Sequence, residues 1–96
     1  MSVYIVSAMD KHDERLYAEY EADAYASFSG HDDIEILAVS DDVLAIEGQA
    51  PGQRMVLIRA PDRTTFDRWY NSTAYQAAKA KRLAASHACF TVMLEQ

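Results

Sequence analysis

Apolar residues alternate with polar ones in several stretches of the chain, and this pattern predicts β-strands. Residues 2–9 are rich in Val, Ile and Tyr and alternate weakly, so they form the first predicted strand. Further strands are predicted at residues 33–40, 43–48, 54–60 and 87–95. Asp41-Asp42 separates the second of these strands from the third, which indicates a short hairpin turn.

Apolar residues recur every three or four positions in two other regions, and this spacing predicts helices. The first helix is capped by Asp10 or Asp13 and ends near Gly30, a residue suited to the left-handed conformation. Its apolar stripe consists of Leu16, Tyr17, Tyr20, Ala24 and Phe28. The second helix starts after Asp62 and bends or breaks at Asn71-Ser72, where Ser72 can cap its continuation to about residue 86.

The order of these elements is β-α-β-β-α-β, with a terminal strand or a split last element. This order is typical of the α+β class with a ferredoxin-like antiparallel sheet, whose helices lie on one face. Yet both faces of the strands are apolar: Val3 and Ile5 oppose Tyr4 and Val6, Ile34 and Ile36 oppose Leu37 and Val39, and Met55 and Leu57 oppose Val56 and Ile58. Because helices cover only one face, we expect a second copy of the sheet to cover the other, as a homodimeric α/β barrel.

Length, charge and cysteine content restrict the class of protein further. We expect residues 1–96 to form one domain, because the chain is short and no linker divides it. The net charge of −6 argues against a nucleic-acid partner, which needs a basic surface. Residues 1–50 hold 12 acids and 2 bases, whereas residues 51–96 hold 3 acids and 7 bases, so the two halves either attract each other or form separate solvated faces.

The expected location is the cytoplasm. The one cysteine, Cys89, excludes an internal disulfide and fits a reducing compartment. The first residues lack the pattern of a signal peptide, and no apolar run approaches the roughly 20 residues of a membrane span, so we expect a soluble protein with no membrane partner.

The chain resembles a small bacterial family called domain of unknown function 1330, in the dimeric α/β-barrel superfamily. The resemblance covers nearly the whole chain and is most specific at Trp69-Tyr70-Asn71-Ser72, followed by Tyr75-Gln76 and Arg82. Weaker matches are Tyr17, Tyr20, Gly30, Glu47-Gly48 and the strand at residues 54–58. The resemblance implies the ferredoxin-like fold and the dimer, and it implies no established activity.

Aromatic and amide residues of the second helical region form the first candidate site. Trp69, Tyr70 and Tyr75 can line a cleft for a planar small molecule, with Asn71 and Arg82 orienting its polar groups. Alternatively, the tryptophan packs in the core and the two tyrosines lie at the helix bend or at the dimer interface.

Polar residues near strand ends form a second candidate site. Glu47, Arg59 and His87 can form an ionisable cluster around a ligand if they point into the barrel, which makes Tyr70, His87 and Glu47 the candidate catalytic groups and Arg59 a candidate binding group. Alternatively, they lie at the rim or form an Arg–Glu pair at the sheet edge. We expect Cys89 to be a buried inert thiol.

No motif predicts a metal or a cofactor. The His-Asp-Glu run at residues 12–14 and the His-Asp-Asp run at residues 31–33 lack the spacing of a metal site, and no glycine-rich phosphate loop is present. Three classes of function therefore stay open: a cofactor-independent enzyme acting on a small organic substrate such as an aromatic or polyketide-like compound, a ligand-binding or regulatory module without catalysis, and a structural assembly protein.

Overall fold

The computed structural model describes residues 2–96. In chain order the elements are β1 (Val3–Lys11), α1 (Glu14–Ser27), β2 (Glu35–Ser40), β3 (Arg54–Ala60), α2 (Arg63–Tyr70), α3 (Thr73–Ala85) and β4 (Ser86–Glu95). The strands form one antiparallel sheet in the order β2-β3-β1-β4, and the helices cover one face of it. This is the predicted α+β, ferredoxin-like arrangement, and the sheet of a single chain is open at β2 and β4.

The helices begin where the sequence supplies a capping side chain. The carboxylate of Asp13 accepts the backbone N–H of Leu16 at 3.0 Å, which confirms Asp13 rather than Asp10 as the first cap. Asp62 caps α2 and Ser72 caps α3 in the same way. After α1, Gly30 has a φ of 82°, the left-handed conformation expected of it.

The prediction of a strand at residues 43–48 was wrong. Residues 41–53 form a loop without helix or strand, so Asp41-Asp42 is not a hairpin turn. Both edges of β3 are occupied, because β2 pairs with one edge and β1 pairs with the other. The place beside β2 that a hairpin partner would take on this side is therefore filled by β3, and residues 43–48 do not pair with the free outer edge of β2 either. Leu44 and Ile46 are 79% and 87% exposed in the single chain.

The pleat divides the apolar residues between two faces, as predicted. The inner face, toward the helices, carries Val3, Ile5, Val56 and Ile58, and the outer face carries Tyr4, Val6, Met55 and Leu57. One detail differs in β2. A bulge at Leu37 shifts the register between Ile36 and Ala38, so Ile36 and Val39 lie on the same inner face rather than on opposite faces.

Ion pairs join the acidic first half of the chain to the basic second half. Lys81 on α3 bonds to Asp23 on α1 at 2.8 Å and lies 3.6 Å from Glu19, while Arg59 on β3 bonds to Glu35 on β2 at 2.9 Å. Acidic side chains of the first half thus pair with basic side chains of the second half within one chain. The two contacts of Lys81 join α1 to α3.

Candidate functional site

A pocket lies between the inner face of the sheet and the helices that cross it. The space in it is about 70 Å³, above the ~10–15 Å³ that one water molecule needs. Val56 and Ile58, on a central strand, remain half-buried although they face the helices. The helices thus do not fully cover the middle of the sheet.

Trp69 forms one wall of this pocket. Its ring stacks on Phe28 with centroids 4.6 Å apart and an interplanar angle of 10°, and it lies 4.2 Å from the ring of Tyr75. Its indole N–H donates to the hydroxyl of Ser27 at 2.9 Å. Because that donor is already used, Trp69 offers a ligand an apolar surface and no hydrogen bond.

Two tyrosine hydroxyls meet at the seam between α1 and α3. The oxygens of Tyr20 and Tyr75 are 3.1 Å apart, so one hydroxyl donates to the other. Burial, followed by the neighbouring Tyr75, raises the pKa of Tyr20 above its ordinary value. Tyr20 therefore keeps its proton at neutral pH and is a hydrogen-bond donor rather than a base.

Arg82 lies beside this pair of hydroxyls. The residue is 7% exposed, it lines the pocket, and its guanidinium carbon is 6.0 Å from the centroid of the Tyr20 ring. Burial lowers the pKa of Arg82, but the phenol groups of Tyr75 and Tyr20 outweigh that effect, and the pKa ends above its ordinary value. The pocket thus contains a permanent positive charge.

The floor of the pocket is polar at one point. Ser7 on β1 and Thr91 on β4 face each other across the sheet, with hydroxyl oxygens 3.1 Å apart, and both line the pocket. Thr91 is exposed, which places an opening at the β4 edge. A more open depression of about 220 Å³ adjoins the pocket there and shares Thr91, Phe66 and Tyr70 with it.

Tyr70 stands at this opening. Its ring packs on Phe66 at 5.4 Å and on Tyr75 at 5.3 Å, and the ammonium of Lys79 lies 4.9 Å from its centroid. Within residues 2–96 its hydroxyl has no hydrogen-bond partner, so it is available to a ligand.

A charged network closes the opposite end of the pocket. Arg54, with a side chain 9% exposed, bonds to Glu21 on α1 and to Asp41 at 2.9 Å. Lys11 also bonds to Asp41, at 3.1 Å. The guanidinium of Arg54 and the ammonium of Lys11 lie 5.2 and 5.4 Å from the centroid of the Tyr17 ring. Glu21, although it lines the pocket, is neutralised by this pairing.

The structure brings four of the predicted binding residues to the pocket and leaves two outside it. Trp69, Tyr70, Tyr75 and Arg82 line it. Asn71 is exposed at the end of α2, where its amide donates to the carbonyl of Asp67 at 2.9 Å. Arg59 pairs with Glu35 on the outer side of the sheet, which is the alternative considered from the sequence.

The predicted ionisable cluster does not form. Glu47 is exposed in the loop at residues 41–53, and His87 is exposed at the start of β4, with its ring 5.7 Å from that of His12. Neither lines the pocket, so they do not surround a common ligand with Arg59. Cys89 was expected to be buried and is exposed, because it is the extra residue of a bulge between Ala88 and Phe90.

Residues 2–96 contain no group of three or more His, Cys, Asp or Glu side chains able to hold a metal ion. None of the helices in the same range is long and apolar enough to span a membrane.

Sequence reasoning missed several pocket residues. Tyr20 was assigned to the apolar stripe of α1 and to the family resemblance but not to a site, and Ser7 and Thr91 were not singled out at all. A signal for the last two was present, since both are small polar residues within otherwise apolar strands. The pairing of β1 with β4, which brings them together, is not visible in the sequence.

A family model, Domain of unknown function (DUF1330), matches residues 2–95. The chain belongs to this family. The match covers almost all of the residues that form the sheet, the helices and the pocket, and it assigns the DUF1330 family no activity. No curated protein matches the chain.

Solved structures share the fold at low sequence identity. RPA0582, a protein of unknown function from Rhodopseudomonas palustris, is 12% identical, with a TM-score of 0.72 over 97% of this chain and 78% of that one. A dimeric protein of unknown function and ferredoxin-like fold from Bacteroides fragilis is 11% identical, with a TM-score of 0.69 over 99% and 96%. SnoaB, a cofactor-independent oxygenase from Streptomyces nogalater, is 13% identical, with a TM-score of 0.66 over 99% and 92%.

Proposed function

We propose that this DUF1330 protein binds a small organic molecule in the pocket between its sheet and its helices. The observation that carries the proposal is a mostly apolar space in which the polar groups of Arg82, Tyr20 and Tyr75 converge. Small-molecule sites have this composition: apolar and aromatic walls with a few placed polar groups. Asn71 and Arg59, which lie outside the pocket, are not part of this proposal.

The walls favour a flat molecule. Trp69 and Phe66 present aromatic surfaces, and Ile5 and Ile58 form an aliphatic floor beneath them. A planar ring packs against such surfaces with little loss of conformational freedom. The adjoining depression at Tyr70 leaves room for a ligand longer than one ring, which keeps aromatic and polyketide-like compounds as the proposed class.

Catalysis without a cofactor is the second candidate function. SnoaB, which has the same fold, is a cofactor-independent oxygenase, and fold similarity alone does not transfer an activity. The support within this chain is electrostatic. Arg82 and the hydroxyls of Tyr20 and Tyr75 can stabilise negative charge that develops on a bound substrate.

The catalytic proposal has less support for a general base, the group that would remove a proton from the substrate. Glu21, the one carboxylate among the pocket-lining residues, is bonded to Arg54. His87 and Glu47 lie elsewhere, so Tyr70 is the remaining candidate from the sequence. A binding or regulatory role needs no base, and for this reason we place binding before catalysis.

We further propose that the protein is a homodimer in which the outer faces of two sheets pack together. Val92 and Leu94 on β4 are 47% and 58% exposed there, beside Tyr4 and Val6. A surface this apolar is unusual on a monomer, and a second copy is the cover with matching chemistry. The Bacteroides fragilis protein of similar fold is dimeric, which supports a dimer here. A cytoplasmic location remains part of the proposal and rests on the single exposed cysteine.

Ligand screening tests the binding proposal directly. Trp69 is the only tryptophan and forms a pocket wall, so its fluorescence reports occupancy. We expect some aromatic acids or short polyketide-like compounds to change this fluorescence and to raise the melting temperature with concentration. His87→Ala, outside the pocket, serves as a control and should bind like the wild type. If no compound in a broad screen changes either signal, the binding proposal is wrong and an assembly role gains support.

A further inference from the structure

The buried cations of the chain differ in one respect. Arg54 is bonded to Glu21 and Asp41, and Lys11 is bonded to Glu14 at 3.0 Å and to Asp41. Arg82 is as deeply buried as either and forms no ion pair with any carboxylate of residues 2–96. A buried charge without a counter-charge is costly, so proteins normally supply one.

We infer that the missing counter-charge of Arg82 is supplied by the ligand, and that the pocket takes a small organic acid with a flat apolar body. This inference rests on the proposed binding function and specifies its ligand class. The carboxylate would lie against Arg82, which can bind both carboxylate oxygens with its planar fork of N–H donors.

The hydroxyl pair beside Arg82 fits the same ligand. Tyr20 and Tyr75 together carry two hydroxyl protons, and the hydrogen bond between them uses one. The second proton remains free to donate to a carboxylate oxygen. Either hydroxyl can be the donor within the pair, and the other then directs its proton to the ligand. A neutral ligand could form hydrogen bonds with the two hydroxyls, but it would leave the positive charge of the Arg82 guanidinium without a counter-charge.

The remaining groups at the pocket do not oppose an anion. Glu21 is bonded to Arg54, which holds its carboxylate in the network with Asp41 at the far end from Arg82. Ser7 and Thr91 add neutral hydroxyls at the floor, and Lys79 adds a second positive charge at the opening beside Tyr70. Among the side chains that line the pocket, Arg82 is therefore the one charge without an oppositely charged partner within residues 2–96.

Matched pairs of probes separate charge from shape. We would titrate wild-type protein with benzoate against benzamide and with 1-naphthoate against 1-naphthamide, at pH 7, and follow the fluorescence of Trp69. We expect each acid to bind at least about tenfold more tightly than its amide, because a hydrogen bond to a charged partner adds that much. The preference should decrease in high salt, although less than it would at an exposed site.

Variants assign the preference to one residue. Arg82→Gln should abolish the tenfold difference between acid and amide, and Arg82→Lys should restore part of it. Arg15→Gln removes an exposed positive charge from α1 and should leave the difference intact. If Arg82→Gln fails to fold, the comparison of acids with amides on the wild-type protein still decides whether the pocket prefers an anionic ligand.

The outcomes distinguish this inference from the proposal on which it rests. Equal affinity for acids and amides would overturn the inference and leave the binding function standing. Tighter binding of the amides would overturn it as well. If none of the four probes binds, the inference is overturned, and the binding function is then decided by the broader screen.

Discussion

The hydroxyl oxygen of Tyr20 on α1 lies 3.1 Å from that of Tyr75 on α3, across 55 positions of the chain. This contact joins the two helices at the point where both face the sheet. Tyr75 is almost fully buried, and its ring also packs on Trp69, so the same side chain supports the helix packing and lines the pocket.

Removing the hydroxyl of Tyr75 should separate these two roles. In Tyr75→Phe the ring contacts remain and Tyr20 loses its partner, so we expect a loss of about 1 kcal/mol in the free energy of unfolding. A water molecule in the pocket can partly replace the lost hydroxyl as a partner of Tyr20, so about 1 kcal/mol is an upper limit for the loss of stability. The affinity for an acidic ligand should fall severalfold, measured by the fluorescence of Trp69.

Tyr4→Phe is the matched control for this prediction. It removes a hydroxyl from the outer face of the sheet, on the opposite side from the pocket, and should leave ligand affinity unchanged. Equal effects of the two substitutions on affinity would show that the hydroxyl of Tyr75 does not act in the pocket.

The fold was predictable from the sequence where local chemistry determines it. Asp13, Asp62 and Ser72 cap their helices because a short side-chain acceptor satisfies a free backbone N–H within three residues. The loop conformation of residues 43–48, where a strand was predicted, could not be predicted in the same way. Apolar composition there suits a strand, but β2 pairs with β3 instead, across the loop at residues 41–53, and no local pattern reveals that longer connection.

The pocket was predictable only in part, for a related reason. Trp69, Tyr70 and Tyr75 stood out because they are close together in sequence and aromatic. The contribution of Ser7 and Thr91 depends on the register between β1 and β4, and that of Tyr20 depends on the packing of α1 against α3. Long-range pairings of this kind are determined by the whole core and leave no local pattern.

The network around Arg54 should make stability depend on pH in the acid range. The hydrogen bond from Arg54, and then that from Lys11, lower the pKa of Asp41 below its ordinary value. A carboxylate whose pKa is lower in the folded state stabilises the fold above its unfolded pKa of about 3.9, and this stabilisation disappears as the pH falls through the folded pKa. Because half of the Asp41 side chain is exposed, we expect at most about 1 kcal/mol at pH 7.

Asp41→Asn tests this dependence. Urea unfolding at low salt should show the variant less stable than the wild type at pH 7. The difference should shrink as the pH falls below the unfolded pKa and approach zero below the lowered, folded pKa of Asp41. Asp42→Asn is the control, since Asp42 forms no ion pair within residues 2–96. A difference that stays constant between pH 7 and pH 3 would contradict the assignment.

The outer face of the sheet gives the last prediction. Val92 lies at the middle of β4, opposite Val6, and points away from the helices, whereas Leu83 is exposed on α3. Their exposed fractions in a single chain are similar, 47% and 56%, so a lysine at either site should cost the monomer little. A lysine between two packed sheets, however, is an unpaired buried charge.

We therefore expect Val92→Lys to weaken the dimer at least about tenfold, and Leu83→Lys to leave it unchanged. Sedimentation velocity from micromolar concentration downwards measures both effects, and circular dichroism checks that each variant is folded. Leu57 on β3 also points outward, beside Val6, so Leu57→Lys should act like Val92→Lys. A wild-type protein that sediments as a monomer at micromolar concentration would refute the dimer, because the exposed apolar face would then be stable in water without a cover.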